Sequence, residues 1–137
     1  MIGGVIVTHG LLGQELLNAV KGIVGKISCL ESVSIGWEDD VDEGKGKINK
    51  ALKEVDRGSG VVLFTDMFGG TPSNMAFSFL EKGKVEVITG TNLPMLLKFT
   101  FVQKSTDLAD VARSVYEDGK NSIYLASRIY EKQQEER

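Results

Sequence analysis

Apolar residues along this chain follow two alternating rhythms. Unbroken runs such as Gly3-Gly4-Val5-Ile6-Val7-Thr8 and Val61-Val62-Leu63-Phe64-Thr65 have the make-up of strands buried on both faces, as in a parallel sheet. Between such runs the apolar positions recur every third or fourth residue, the period of a helix laid with one face on a sheet. The first helix is expected from Leu11 to about Gly25, with Leu12, Leu16, Ala19, Val20 and Ile23 as its stripe. A second strand runs through Ile27 to Ile35. Val41, Ile48, Leu52 and Val55 then mark a second helix, entered by Asp40 and Glu43 at the spacing of an N-terminal capping pair. Arg57 to Gly60 is a turn into the Val61 run. Gly69-Gly70-Thr71-Pro72 opens a helix striped by Met75, Ala76, Phe79 and Leu80, which Gly83 stops. A fourth strand, Val85 to Thr89, leads through Gly90–Pro94 to an apolar helix at Met95–Phe101. Leu108, Val111, Ala112 and Val115 define a last helix that Gly119 stops, and Asn121 to Leu125 reads as a short final strand.

Strands that alternate with helices, joined by connections too long for hairpins, require right-handed crossovers and an α/β fold. The expected architecture is a doubly wound, mostly parallel sheet of order 2-1-3-4, with helices on both faces and a short C-terminal edge strand. Residues 1–126 form one domain in this reading, and 127–137 a charged surface tail that frays or extends.

Composition narrows the function classes. A chain of 137 residues that is 42% hydrophobic can bury an ordinary core without disulfides or metals. Its 16 basic and 19 acidic residues give a net charge of −3, with the basic ones scattered, so nucleic acid and anionic membranes find no electrostatic footprint. The single cysteine, Cys29, has no partner and is expected as a small buried hydrophobe. No basic N-terminal region and no apolar run of about 20 residues is present, which fits a cytoplasmic protein. Glu38-Asp39-Asp40 sit at a helix start and read as capping residues, so neither metal nor cofactor is expected. Trp37 beside them is either core or a partner contact.

The chemistry centres on the only histidine. His9 ends the first strand, and in open α/β sheets ligands bind outside the carboxyl ends of the strands. A neutral imidazole is a good nucleophile near pH 7, and the helix that follows offers N–H groups to an anion. A lone histidine is more often structural, but order 2-1-3-4 makes the first and third strands neighbours and sets Asp66 at the equivalent end of the third. A carboxylate there is costly unless paired. By accepting the Nδ1 proton of His9 it would fix the tautomer and leave Nε2 as the nucleophile. The loop Asp66-Met67-Phe68-Gly69-Gly70-Thr71-Pro72-Ser73-Asn74 permits close backbone approach and presents the Thr71 and Ser73 hydroxyls; it reads equally as a plain capped turn. It is neither a Walker loop nor a dinucleotide fingerprint. Asn92 could close the same crevice or simply shape a turn.

The blocks Ile6-Val7-Thr8-His9-Gly10 with Leu12-Gly13, Asp66 to Asn74, and Gly90-Thr91-Asn92-Leu93-Pro94-Met95 together resemble the mannose-type enzyme IIA of the phosphoenolpyruvate-dependent sugar phosphotransferase system, over residues 2–126. The resemblance implies that His9 accepts a phosphoryl group from phospho-HPr and passes it to an enzyme IIB, which serves sugar entry through a membrane permease. It implies that Asp66 is the carboxylate beside the imidazole, and that Gly10, Gly69, Gly70, Thr71 and Ser73 belong to the rim that receives the phosphoryl group and the partner. It also implies a homodimer, with the C-terminal strand able to pair across subunits. Gly13 departs from the alanine of many members, and no IIB domain lies within these residues, so transfer would go to a separate protein. Two alternatives stand beside this one: a phosphocarrier subunit for dihydroxyacetone kinase, and a regulatory protein read by its phosphorylation state. A flavodoxin-like carrier is disfavoured because His9-Gly10-Leu11-Leu12-Gly13 lacks a hydroxyl-rich phosphate cradle.

Overall fold

The computed structural model describes residues 1–135. In chain order it contains β1 (Gly3–His9), α1 (Leu12–Val24), β2 (Leu30–Ile35), α2 (Val41–Val55), β3 (Val61–Thr65), α3 (Thr71–Phe77), β4 (Val85–Ile88), α4 (Leu93–Val102), α5 (Leu108–Asn121) and α6 (Ala126–Glu135). The strands form one parallel sheet in the order β2-β1-β3-β4. His9 pairs with Ile35, so β1 and β2 end level, while Thr65, the last residue of β3, pairs with Val7, two residues short of that edge.

Strand alternation divides the core between the two faces. Ile6, Val62 and Phe64 point to the side covered by α1, α4 and α5, where they meet Leu17, Leu96, Phe99 and Val115. Val5, Val7, Val61 and Leu63 point to the other side, against Ile48, Ala51 and Val55 of α2 and Met75 and Ala76 of α3. The two faces press so closely on β1 that its first residues have to be glycine. A β-carbon on Gly3 would lie 2.5 Å from the Val55 carbonyl oxygen, and one on Gly4 would lie 2.7 Å from the Phe99 ring.

Several expectations shift. In α1 the buried residues are Gly13, Leu17 and Val20, while Leu12 and Ile23 are exposed. The helix turns this way because Gly13 sits on the end of β1, its N–H donating to Thr8 Oγ1 at 2.7 Å. In α2 the small Gly44, packed on Met75, replaces Val41 on the buried face. α3 ends at Phe77, which leaves Leu80 exposed. β2 begins at Leu30 rather than Ile27, because the Ser28 carbonyl is held by Gln103 Nε2 and not by a neighbouring strand. Cys29 is half-buried against the α2 core, as a small hydrophobe, in a left-handed conformation (φ 53°).

The expected C-terminal edge strand does not form. α5 continues through Gly119 to Asn121, since Gly119 packs on Met95 and its carbonyl accepts a hydrogen bond from Asn92 Nδ2 at 3.0 Å. Ile123, Tyr124 and Leu125 are left exposed beyond it. The tail over 127–137 is helical as far as Glu135, in α6, which buries none of its residues; the last two positions lie outside the described residues.

The glycines yield opposite predictions. Gly3→Ala forces a backbone carbonyl aside and is expected to cost about 1–3 kcal/mol. Gly22 and Gly46 lie inside α1 and α2 with open space where a β-carbon would go, so alanine at either is expected to stabilise by about 0.5–1 kcal/mol. Urea unfolding of the three variants checks both signs.

Candidate functional site

The adjacent ends of β1 and β3 bring together the two residues expected to carry chemistry. Asp66 follows β3 directly, and its Oδ2 accepts both the backbone N–H of His9, at 2.9 Å, and His9 Nδ1, at 2.7 Å. Its Oδ1 accepts the Met67 N–H at 3.0 Å. A carboxylate that receives these N–H groups acts as acceptor, so the shared proton sits on Nδ1 and the Nε2 lone pair is available. Among the described residues no hydrogen bond engages Nε2. The imidazole is about a quarter exposed (27%), against 10% for the Asp66 side chain.

The loop between β3 and α3 is folded from within. Ser73 is fully buried: its hydroxyl shares a 2.6 Å hydrogen bond with Thr65 Oγ1 and donates a second to the Met67 carbonyl. The structure therefore turns inward a hydroxyl expected at the rim, where it shapes the loop. Thr71 lies at the surface, at the start of α3. Gly69 takes a positive φ of 86°, which brings Gly70 against the histidine; a β-carbon on Gly70 would lie 2.8 Å from His9 Cε1. Gly10 also has a positive φ, 53°, and its N–H donates to the Ile35 carbonyl at 3.0 Å, so this amide serves the β1–β2 junction. Thr91 clamps the next loop to β3, its N–H and hydroxyl both donating to the Thr65 carbonyl. Asn92 caps α4 through the Met95 N–H and ties down α5.

Helix capping is uneven around this edge. α2 and α4 start from Asp40 and Asn92, whose side chains each accept an N–H of the first turn. The two helices that begin beside His9, α1 and α3, start from Leu11 and Gly70, neither of which caps its helix with a side chain, although Thr8 Oγ1 takes the Gly13 N–H of α1. An anion at His9 would meet those helix starts.

Trp37 is the residue that sequence reasoning left undecided. It follows β2 and is 84% exposed, yet its indole stacks on the His9 imidazole with ring centroids 5.4 Å apart and planes 28° apart. The order 2-1-3-4, which places the end of β2 beside that of β1, was the only signal for this. Asp39 accepts the Gly36 N–H and a 2.6 Å hydrogen bond from Lys47 Nζ. The Lys47 ammonium holds the Asp39 carboxyl below its ordinary range. Leu11, Leu12, Met67 and Phe68 complete an exposed apolar collar on the loops that flank the histidine.

Comparison with known proteins identifies the family. The model of a family described as "PTS system fructose IIA component" matches residues 3–116. The fructose-specific EIIA component of Bacillus subtilis (strain 168) is 29% identical over 133 residues, which cover 96% of this chain and 91% of that relative. The mannose-specific EIIAB component of Escherichia coli (strain K12) is 34% identical over 100 residues, 69% of this chain but 29% of that longer relative. Among solved structures, phosphotransferase system component EIIA from Streptococcus agalactiae superposes with a TM-score of 0.84 at 20% identity, covering 93% of this chain and 99% of that one. The mannose/sorbose specific IIA subunit from Enterococcus faecalis gives 0.80 at 24%, covering 90% and 92%. At these identities the structures speak for the fold.

Gly70→Ala is expected to push the imidazole off its carboxylate, seen as movement of the His9 ring resonances in proton NMR with the fold retained. Gly69→Ala instead meets a left-handed backbone and is expected to cost about 1–2 kcal/mol of stability.

Proposed function

The chain belongs to the family of PTS fructose IIA components and is a phosphoryl carrier in sugar uptake; from that premise we propose how its own residues carry the group. His9 Nε2 attacks the phosphorus of phosphohistidine on HPr. The donor's P–N bond breaks, its electron pair returns to the donor nitrogen, and an Nε2–P bond forms on His9. Nδ1 keeps its proton, so the phosphorylated ring is an imidazolium, and the Asp66 carboxylate at 2.7 Å offsets that charge. The same protonated ring is a competent leaving group when an enzyme IIB takes the phosphoryl group onward. A loose phosphoryl transition state asks mainly for alignment and charge stabilisation. The starts of α1 and α3, together with the Thr71 hydroxyl, supply donors for its equatorial oxygens.

The observation that carries this reading is the His9–Asp66 contact, which leaves Nε2 as the unengaged nitrogen of the ring. The apolar collar of Leu11, Leu12, Met67 and Phe68 is the surface on which HPr and the IIB protein seat, with Gly10, Gly69 and Gly70 forming its backbone rim. Residues 1–126 are the carrier domain. The exposed Ile123, Tyr124 and Leu125 are the segment through which two copies associate as a homodimer. No helix of the described residues is long and apolar enough to cross a membrane, in keeping with a carrier that works in the cytoplasm and reaches the permease through its IIB partner.

Incubation with phosphoenolpyruvate, enzyme I and HPr tests the assignment. We expect an acid-labile phosphoryl group on the native chain and none on His9→Ala; label that persists in that variant would remove His9 from the reaction. Phosphorus NMR should show the Nε2 isomer, and the Nδ1 isomer would refute the role given to Asp66. Asp66→Ala is expected to slow phosphoryl acceptance by about 10²-fold, through loss of tautomer and ring orientation, while the thermal midpoint moves little.

A further inference from the structure

Three groups lie around the His9 ring, each at a different place. Asp66 holds the Nδ1 edge, Gly70 lies near enough that a β-carbon there would meet Cε1, and the indole of Trp37 stacks over a face. The carboxylate holds one edge of the ring, and the indole lies over its face.

The position of Trp37 is built. Gly36 N–H donates to Asp39 Oδ2 at 2.9 Å and Asp39 N–H returns to the Gly36 carbonyl at 3.2 Å, closing a short turn around Trp37. Lys47 Nζ, from α2, donates to Asp39 Oδ2 at 2.6 Å and to the Ser34 carbonyl at 3.2 Å, which ties that turn to both α2 and β2. A large aromatic side chain left 84% exposed contributes little to the core, so the fold gains little by holding it there. What the placement does is set the indole over the imidazole. An indole face attracts a cation, and the loops around His9 from Gly10 to Gly13 and from Asp66 to Asn74 contain no lysine or arginine that could compete for a ligand.

We propose that Trp37 is a positioning residue for His9: braced by Asp39 and Lys47, its indole fixes the imidazole plane and favours the cationic state of the ring that bears the phosphoryl group. This rests on the carrier reading, since it assigns Trp37 a part in the same transfer. Stacking of this kind corresponds to a rate effect of about three- to tenfold, far smaller than the loss of Asp66.

The test separates the stack from the transfer. In unphosphorylated protein the His9 Cδ2–H and Cε1–H resonances are expected to lie upfield under the indole ring current, to move downfield in Trp37→Leu, and to take intermediate positions in Trp37→Phe. Unmoved resonances would overturn the proposal. With phospho-HPr as donor, Trp37→Leu is expected to lower the maximal rate of phosphoryl acceptance about three- to tenfold, and Trp37→Phe to restore it to within about twofold. A Trp37→Leu protein that keeps the maximal rate but needs more phospho-HPr to reach it would make Trp37 a docking residue and overturn the proposal as well. Asp39→Asn, which loosens the brace without touching either ring, should give a smaller downfield movement and a smaller rate loss of the same sign. Because Trp37 is the only tryptophan, its emission should also change on phosphorylation of the native chain and stay constant in His9→Ala. Native protein that shows the ring shift but takes no phosphoryl group would overturn the carrier reading instead, so the two failures have different signatures.

Discussion

One carboxylate organises the working edge of this molecule. Asp66 takes the His9 amide and the His9 ring on one oxygen and the Met67 amide on the other, so it ends β1 and begins the β3–α3 loop at the same time. Everything nearby is arranged so that this can happen. Gly3 and Gly4 let α2 and α4 close on β1 without displacing it, and the buried Thr8 and Thr65 spend their hydroxyls on Gly13 and Ser73, which fix the two loops that leave the strands. A carboxylate this little exposed is costly unless its lone pairs are occupied; here the donors that occupy them are those of His9 and of Met67, the next residue of its loop.

Parallel strands, their order and the position of His9 beside Asp66 were legible from the sequence, because runs such as Val61–Thr65 and the spacing of their partners leave few topologies open. Helix faces were less so. The rotation of α1 is set by Gly13 against Thr8, and that of α2 by Gly44 against Met75; glycine carries no weight in an apolar count, so the count chose the larger neighbours. The C-terminal strand failed for a related reason. Ile123, Tyr124 and Leu125 have strand-like composition, but α5 is held past Gly119 by Asn92 and Met95, and no neighbour within the described chain takes up the apolar run.

At the site, residue types were easier to read than directions. Ser73 has the right chemistry for an anion rim and is turned inward, since the buried Thr65 hydroxyl and the Met67 carbonyl both need a partner. Trp37 has no local pattern that would announce it, and it acquires meaning only when β2 and β1 are laid side by side. Pairwise contacts between side chains from different crossover units are the part of a site that periodicity does not encode.

The separation of His9 from Asp66, 57 residues along the chain, has a kinetic meaning. β1 and β3 become neighbours only after α1, β2 and α2 have been looped out between them, so the contact belongs to the slow, non-local part of folding, where loop closure must precede any reward. A nascent or partly unfolded chain thus possesses the histidine but not its fixed tautomer, and its imidazole is an ordinary one. On the mechanism proposed above, reactivity is switched on by completion of the sheet, and uptake of a phosphoryl group would then report the fully folded chain.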